Sequence, residues 1–293
     1  MLTIVLGLTA ACAYSLYGFG SHRLVRGVPW LTMVVAMYVV GVCLLVVPAL
    51  VVDGPPFGAG EAGDVGLAAA GGLLYTGATA CFLLALRVGK LSLVTVLACL
   101  DGAFAAAASF ALGERLGGLA LAGLVSAAGG GLLAAVERRR DTSAVAGPAP
   151  LAGRRWRFAA GAGLALLTSL AMAGVFVIYG AIDAFSPLTT VTVASFAGLV
   201  VVLPVAAVRH LVLPPRPQAA GVIGVGALDM LAFLAGSAAL ALGPVSVASV
   251  LQAQTATLST LLGVVALHER PAWWQTVGIA ATIAGVSMLA WSM

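Results

Sequence analysis

Two aspartates, Asp101 and Asp229, are the only acidic or basic side chains inside the long apolar runs of this 293-residue chain. A carboxyl group at the centre of a bilayer costs about 2.5–3.5 kcal/mol on insertion scales, so a chain that keeps two there is expected to use them. The chemistry open to them is response to a proton or a cation; the structural alternative is a protonated Asp bonded to a neighbouring helix. Tyrosines form a second group. Ala10, Tyr14, Tyr17 and Ser21 make one helical stripe, and Tyr75, Thr79 and Phe82 another. Aromatic faces beside a carboxylate suit a cationic or aromatic solute through stacking and cation–π contact. The ordinary place of tyrosine is instead the membrane interface or a core with its hydroxyl satisfied. Tyr179, near the end of its run, is expected at the interface. A third group is Ser246, Ser249, Gln252, Thr255 and Ser259, one polar face on an apolar helix with Gln254 just beside it. Ser and Thr in membrane helices also hold helices together, at about 1 kcal/mol each, but a full stripe with a glutamine predicts a cavity wall. The expected solute- or ion-binding set is therefore Tyr14, Tyr17, Tyr75, Thr79, Asp101, Asp229, Gln252, Gln254 and Thr255.

Other chemistries lack their residues. Cys12, Cys43, Cys81 and Cys99 lie within apolar runs, without the pattern of a disulfide framework or a zinc cluster, and read as small packing residues. His22, His210 and His268 sit at the edges of runs, apart from both aspartates, which argues against an intramembrane enzyme and leaves no catalytic or metal set. No G-x-x-x-x-G-K-[ST] motif occurs, so neither a bound cofactor nor ATP-driven work is expected. A basic stripe interleaved with aromatics, as nucleic acid would require, is missing too.

These side chains must be positioned by membrane helices. The chain is 62% hydrophobic and 8% charged, with a mean hydropathy of +1.13, too few charges to cover a water-facing surface. A spanning helix needs about 20 mostly apolar residues. The runs predict spans at 2–22, 30–52, 65–86, 91–112 and 116–136, then 158–182, 187–208, 219–242, 243–267 and 271–292. No strand-like alternation supports a barrel. The first Lys or Arg is Arg23, so the first run reads as a spanning helix rather than a signal peptide. Thirteen of the fourteen Lys and Arg residues fall in the loops after spans 1, 3, 5, 7 and 9, and only Arg115 lies on the other side. The positive-inside rule then places the basic segment 137–157 in the cytoplasm and both termini outside a cell membrane.

An internal repeat organises the spans. Residues 72–97 and 226–251 align at an offset of 154: Gly72 meets Gly226, Leu86 meets Leu240, Ser92 meets Ser246, and Val96–Leu97 meets Val250–Leu251. Further on, where the offset slips to 155, Glu114–Arg115 answers Glu269–Arg270, and Gly123 and Gly130 answer Gly278 and Gly285. The offset of 154 sets Asp229 against Tyr75 and Asp101 against Thr255. The Glu-Arg pairs read as turn-forming salt bridges. Gly123, Ala127, Gly131 and Ala135 make a small-residue face for close helix packing or a dimer. Five spans per repeat is odd, so the halves 1–136 and 158–293 should be inverted about the 137–157 linker, an arrangement that transporters use around a midplane site.

The phrases Lys90–Leu–Ser–Leu–Val–Thr–Val–Leu97 with Leu112–Gly–Glu–Arg115, and Gly243–Pro–Val–Ser–Val–Ala–Ser–Val250 with His268–Glu–Arg270, resemble the two halves of an EamA-type carrier of the drug/metabolite transporter superfamily. The resemblance implies a cavity between the halves, alternating access, and substrates such as amino acids, metabolites or amphipathic drugs. Many members carry basic residues after span 2, whereas this chain carries Asp53, Glu61 and Asp64 there. The expected architecture is all-α and integral to the membrane, with ten helices in two inverted five-helix repeats around a central cavity. The expected function is secondary active export of small metabolites, amino acids or amphipathic compounds. Uptake of an organic cation such as choline is the alternative. Substrate, lipid and a coupling proton or other ion are the expected partners, in a monomer or homodimer.

Overall fold

The computed structural model describes residues 1–25, 27–54, 62–88, 94, 97–135, 151–209, 214, 216–259, 261 and 272–292, with backbone alone at 134–135, 151–158 and 290. Glu61, Lys90, Arg138–Arg140, Glu269 and Arg270 lie outside the described residues. Ten helices follow in order among those described: α1 (Leu2–Leu24), α2 (Trp30–Val52), α3 (Ala62–Val88), α4 (Asp101–Ala111), α5 (Gly118–Ala135), α6 (Leu151–Gly180), α7 (Pro187–Val208), α8 (Arg216–Ala241), α9 (Val245–Gln252) and α10 (Trp273–Ser292). Six of them (α1, α2, α3, α6 from Ala159, α7 and α8) are long and apolar enough to cross a membrane.

Local sequence explains the boundaries. Pro29 and Pro244 sit at the N-caps of α2 and α9, and Ser186 caps α7 by accepting the Thr189 N–H, with Pro187 in the first helical position. Gly113, at a φ of +99°, makes the turn between α4 and α5 that a side chain would strain. Helix α6 begins at Leu151, within the segment expected to be linker. No proline interrupts residues 151–161, Gly153 falls in the first turn where it costs least, and Arg is a good helix former.

The bundle turns its apolar side chains outward as well as inward. Val5, Leu44, Val47, Val200, Ile223 and Ile283 are all exposed, a surface that only lipid covers comfortably. Trp273 and Trp291 are exposed at opposite ends of α10, a rise of about 27 Å that matches the hydrocarbon thickness.

Packing reproduces the repeat. Helix α1 packs on α8 and α6 on α3; α2 packs on α8 and α7 on α3; α1 meets α9 and α6 meets α4. Each pair becomes the other when α1–α5 are exchanged with α6–α10, while α2·α7, α4·α9 and α5·α10 map onto themselves. The glycines show the same symmetry. A Cβ on Gly72 would fall 2.4–2.8 Å from the Ala194 backbone at the α3–α7 crossing, and one on Gly226 would fall 3.2 Å from Met37 Cα at the equivalent α8–α2 crossing. A Cβ on Gly285 would meet the Ala127 N and Gly123 O at 2.4 and 2.6 Å, so α5 and α10 touch backbone to backbone. The Gly123–Ala127 face is thus used within the chain, while Gly131 lies against the Gln254 amide.

Two ends are distinguishable. Leu24 and Gly27, beside Arg23, meet Gly221 and Gln218 near Arg216, which makes this end basic. At the other end Asp53 accepts hydrogen bonds from the Ser186 and Thr189 hydroxyls, the latter at 2.7 Å, and Asp64 accepts one from the Ala184 N–H at 2.8 Å. Glu114 accepts from the Ser246 hydroxyl and N–H, tying the α4–α5 turn to the first turn of α9. Glu114, expected in a turn-forming salt bridge, makes a helix-end contact here, since an acceptor at a helix N-terminus satisfies orphan N–H groups.

Candidate functional site

The fourth and ninth spans are not continuous helices, contrary to the sequence expectation. Cys99 and Leu100 form a turn before α4, and Ala253 and Gln254 form a turn after α9, at positions 154 residues apart. At both, the hydrogen-bond ladder tightens to a three-residue step: the Leu100 N–H bonds the Leu97 carbonyl at 3.3 Å, and the Gln254 N–H bonds the Leu251 carbonyl at 3.2 Å. Side chains take up nearby carbonyls. The Ser169 hydroxyl lies on the Leu97 carbonyl and 3.2 Å from the Ala98 carbonyl, and the Thr255 hydroxyl donates to the Gln252 carbonyl at 2.8 Å. Broken backbone in a membrane is tolerated where protein or a cavity surrounds it.

Both breaks open onto one cavity, with about 630 Å³ of space between side chains, mouth included. It is lined by α1 (Tyr14, Tyr17), α3 (Tyr75, Ala78, Thr79, Phe82), the fourth span (Ala98, Cys99, Asp101), α6 (Thr168, Met172, Phe176), α8 (Asp229) and the ninth span (Gln252, Ala253, Thr255). Five pairs of these residues are separated by 154: Tyr14 and Thr168, Tyr75 and Asp229, Ala98 and Gln252, Cys99 and Ala253, Asp101 and Thr255. The cavity therefore straddles the axis that relates the two halves. Its shape is symmetric and its chemistry is not, because each pair joins unlike side chains.

The polar centre is a short chain of hydroxyls ending on a carboxylate. The Tyr75 hydroxyl donates to Asp229 Oδ1 at 2.7 Å and stands 3.4 Å from the Tyr14 hydroxyl. Asp229 is 1% exposed, and its Oδ2 is buried without a hydrogen-bond partner. Asp101, in the first turn of α4, accepts from the Gly102 N–H at 2.7 Å. Aromatic rings close around this centre. Tyr14 and Tyr17 pack edge to face at 6.4 Å, Tyr17 stacks on Phe82 at 6.1 Å, and Tyr75 lies parallel to Phe233 at 4.0 Å. Among the described residues no His, Cys, Asp or Glu cluster could hold a metal ion.

Eight of the nine residues expected from sequence are thus brought together, and Gln254 is not. Its amide donates to the Ala127 and Val250 carbonyls and accepts from Thr257, facing α5 rather than the cavity. Residues 252 and 254 lie about 200° apart around a helix, so both cannot face one side. The serine stripe divides as well: Ser246 and Ser249 are buried against Glu114 and the Gly102 carbonyl, and Ser259 bonds Ser15 at 2.7 Å. Tyr179 is no interfacial residue. It is 3% exposed and lies tilted on Phe233 at 5.5 Å, with its ring where a Cβ on Gly71 would stand. Phe176, Met172 and Cys99 escaped the sequence reading because apolar side chains facing a cavity look like those facing lipid. Periodicity measured from Thr168 on α6 is the one signal that could have found the first two.

A comparison with curated proteins gives no match. A solved structure described only as "Crystal structure of protein" is similar over 98% of this chain and 95% of its own length, with a TM-score of 0.74 at 19% identity, a likeness of fold. The model of the EamA-like transporter family, within the drug/metabolite transporter superfamily, matches residues 1–136 and again 159–291. A ten-helix membrane bundle with that double match is a multi-pass membrane transporter, and the chain belongs to the EamA-like transporter family.

Proposed function

We propose that the chain is a secondary carrier that exports small amphipathic metabolites across the cell membrane by alternating access, with Asp101 and Asp229 responding to a coupling proton. The observation that carries this is the set of five symmetry-related residue pairs around one cavity, one of them, Cys99 and Ala253, at the helix breaks. A site on the axis between two similar halves can be reached from either side as the halves exchange arrangements, which is what alternating access requires.

Direction is supported by which end is shut. On α1 and α3 the cavity residues lie at mid-depth or towards the basic end, as Tyr14, Tyr17, Thr79 and Phe82 do, while on α6 Met172 and Phe176 lie towards the other end. Towards the acidic end the space is filled by the Tyr75, Phe233 and Tyr179 rings, beneath the Asp53 and Asp64 contacts. With the basic end in the cytoplasm this arrangement loads from inside, and the termini face outside. The halves 1–136 and 158–293, joined through a cytoplasmic linker, would be the moving bodies. The deciding experiment is a proteoliposome flux screen over amino acids, amines and quaternary cations, with and without a pH gradient. Absence of flux for every class from correctly inserted protein would remove the carrier reading.

A further inference from the structure

We propose that the solute is an organic monocation whose ammonium group seats on the free oxygen of Asp229, with its apolar body held between the aromatic walls of α1, α3 and α6. This rests on the reading of the cavity as the transported solute's site. The lining contains two carboxylates, Asp101 and Asp229, and no Lys, Arg or His among the described residues. An anion entering it would meet like charge in a medium that screens charge poorly. A zwitterion fares little better, because its carboxylate needs hydrogen-bond donors and four of those lining the cavity face protein, leaving it the hydroxyls of Tyr14, Tyr17 and Thr79. Tyr75 donates to Asp229, Gln252 to the Gly236 and Ala248 carbonyls, Thr168 to the Leu164 carbonyl, and Thr255 to the Gln252 carbonyl.

A cation, by contrast, meets an acceptor with no competing partner. Asp229 Oδ1 is occupied by Tyr75, while Oδ2 is buried and bonded to nothing. A buried polar atom without a partner is rare in a folded protein and costs free energy that a bound donor would recover. The rings of Tyr14, Tyr17, Phe82 and Phe176 supply faces for an ammonium and for an aromatic or aliphatic body. The Oδ2 atom, rather than Asp101, is the seat, because Asp101 is only half-buried and bonds the Gly102 N–H.

The test uses four probes with one phenyl body and different heads: phenethylamine, phenethyltrimethylammonium, phenylalanine and phenylpropionate, titrated onto the full chain in lipid nanodiscs by calorimetry. Phenethylamine, whose N–H groups can donate to Oδ2, should bind at least about tenfold tighter than the zwitterion and the anion, and phenethyltrimethylammonium, which has the charge but no N–H, should fall between them. Asp229→Asn, which keeps an acceptor for Tyr75, should reduce ammonium affinity about tenfold or more, and Asp101→Asn should reduce it less. Head-group selectivity is read on the unaltered chain, so the test stands even where Asp229→Asn does not assemble. Tighter binding of phenylalanine or phenylpropionate would overturn the cation assignment and leave the carrier reading standing. Failure of all four probes to bind would overturn the assignment together with the cavity as solute site.

Discussion

The Tyr75 hydroxyl and Asp229 Oδ1, 2.7 Å apart, belong to residues that occupy the same position in the two halves of the chain. A position and its symmetry mate can touch only where they meet the axis between the halves. This bond therefore marks the axis, at the depth where the cavity begins. The neighbouring triad obeys the same symmetry. Thr76 bonds the Tyr38 hydroxyl at 2.7 Å beside Gly198, and the equivalents Met230 and Ser195, at 3.7 Å, lie beside Gly41. One half thus has a hydroxyl–hydroxyl pair where the other has a hydroxyl–sulfur pair, and a glycine makes room in both.

Removing the Tyr75 hydroxyl isolates one interaction. Tyr75→Phe preserves the parallel stack on Phe233 and leaves both Asp229 oxygens without that donor. The expected loss of stability is about 1–3 kcal/mol, the range for a hydrogen bond to a charged group and the cost of a buried unpaired acceptor. Tyr38→Phe should cost less, because the Thr76 hydroxyl retains the Gly72 carbonyl at 2.7 Å. Thermal melting of both variants in detergent checks the order. Equal destabilisation would show that the Tyr75–Asp229 bond has no special weight.

Close helix crossings give a second prediction. Gly72→Ala places a Cβ against the Ala194 backbone, which cannot rotate away, so α3 and α7 must separate. Overpacking of this kind costs about 1–3 kcal/mol. Gly77→Ala on the same helix meets nothing within 4 Å and should leave melting unchanged. Size-exclusion profiles and melting temperatures of the pair decide between crossing-specific strain and a general intolerance of α3.

How much of this was legible follows from what sequence encodes. The ten spans and the repeat were written in hydropathy and in recurrent glycines. Tyr14, Tyr17, Thr79 and Asp229 could be found because polar atoms in an apolar run need a reason. The breaks at Cys99–Leu100 and Ala253–Gln254 could not, since neither Leu97–Asp101 nor Leu251–Thr255 contains Pro or Gly. They follow from tertiary partners such as Ser169, which lies on another helix. Gln254 was misplaced because a polar residue bolting helices together reads the same as one lining a cavity. Tyr179 was misplaced because closeness to a helix end does not measure depth when neighbouring segments cover it.

Topology is open to a direct measurement. With the four native cysteines replaced, Gly63→Cys at the acidic end should react with an impermeant maleimide in intact cells, and Arg209→Cys at the basic end only after permeabilisation. Both positions are exposed. The reverse labelling pattern would show that the basic residues had misreported the orientation, and would invert the proposed direction of loading.

Tyr17 tests the aromatic wall without touching a carboxylate. Its ring stacks on Phe82 and lines the cavity. Tyr17→Ala removes a face worth about 0.5–2 kcal/mol to a bound cation, a loss of roughly twofold to thirtyfold in affinity. Tyr17→Phe keeps the ring and should stay within about twofold. An unchanged affinity for Tyr17→Ala, with normal assembly, would remove this residue from the solute's surroundings.

The last prediction concerns the shut end. Asp53 at the end of α2 holds Ser186 and Thr189 at the start of α7, joining the first half of the chain to the second. If loading from the basic end must alternate with opening at the acidic end, these contacts have to part once per cycle. A covalent tie between Asp53→Cys and Thr189→Cys, made with a short bifunctional thiol reagent or by oxidation where the geometry closes, should stop flux in proteoliposomes. Binding measured from the basic side should survive within about twofold, because no cavity residue is altered. A reducible tie, once reduced, should restore transport, which separates a locked end from a damaged fold. Each single cysteine should transport with or without the reagent, since one thiol alone cannot tie α2 to α7. Undiminished flux from the tied protein would mean that the acidic end does not open along the α2–α7 junction, and the pathway would then have to be sought between α1 and the turn that joins α8 to α9, where Thr3 bonds the Leu242 carbonyl at 3.1 Å.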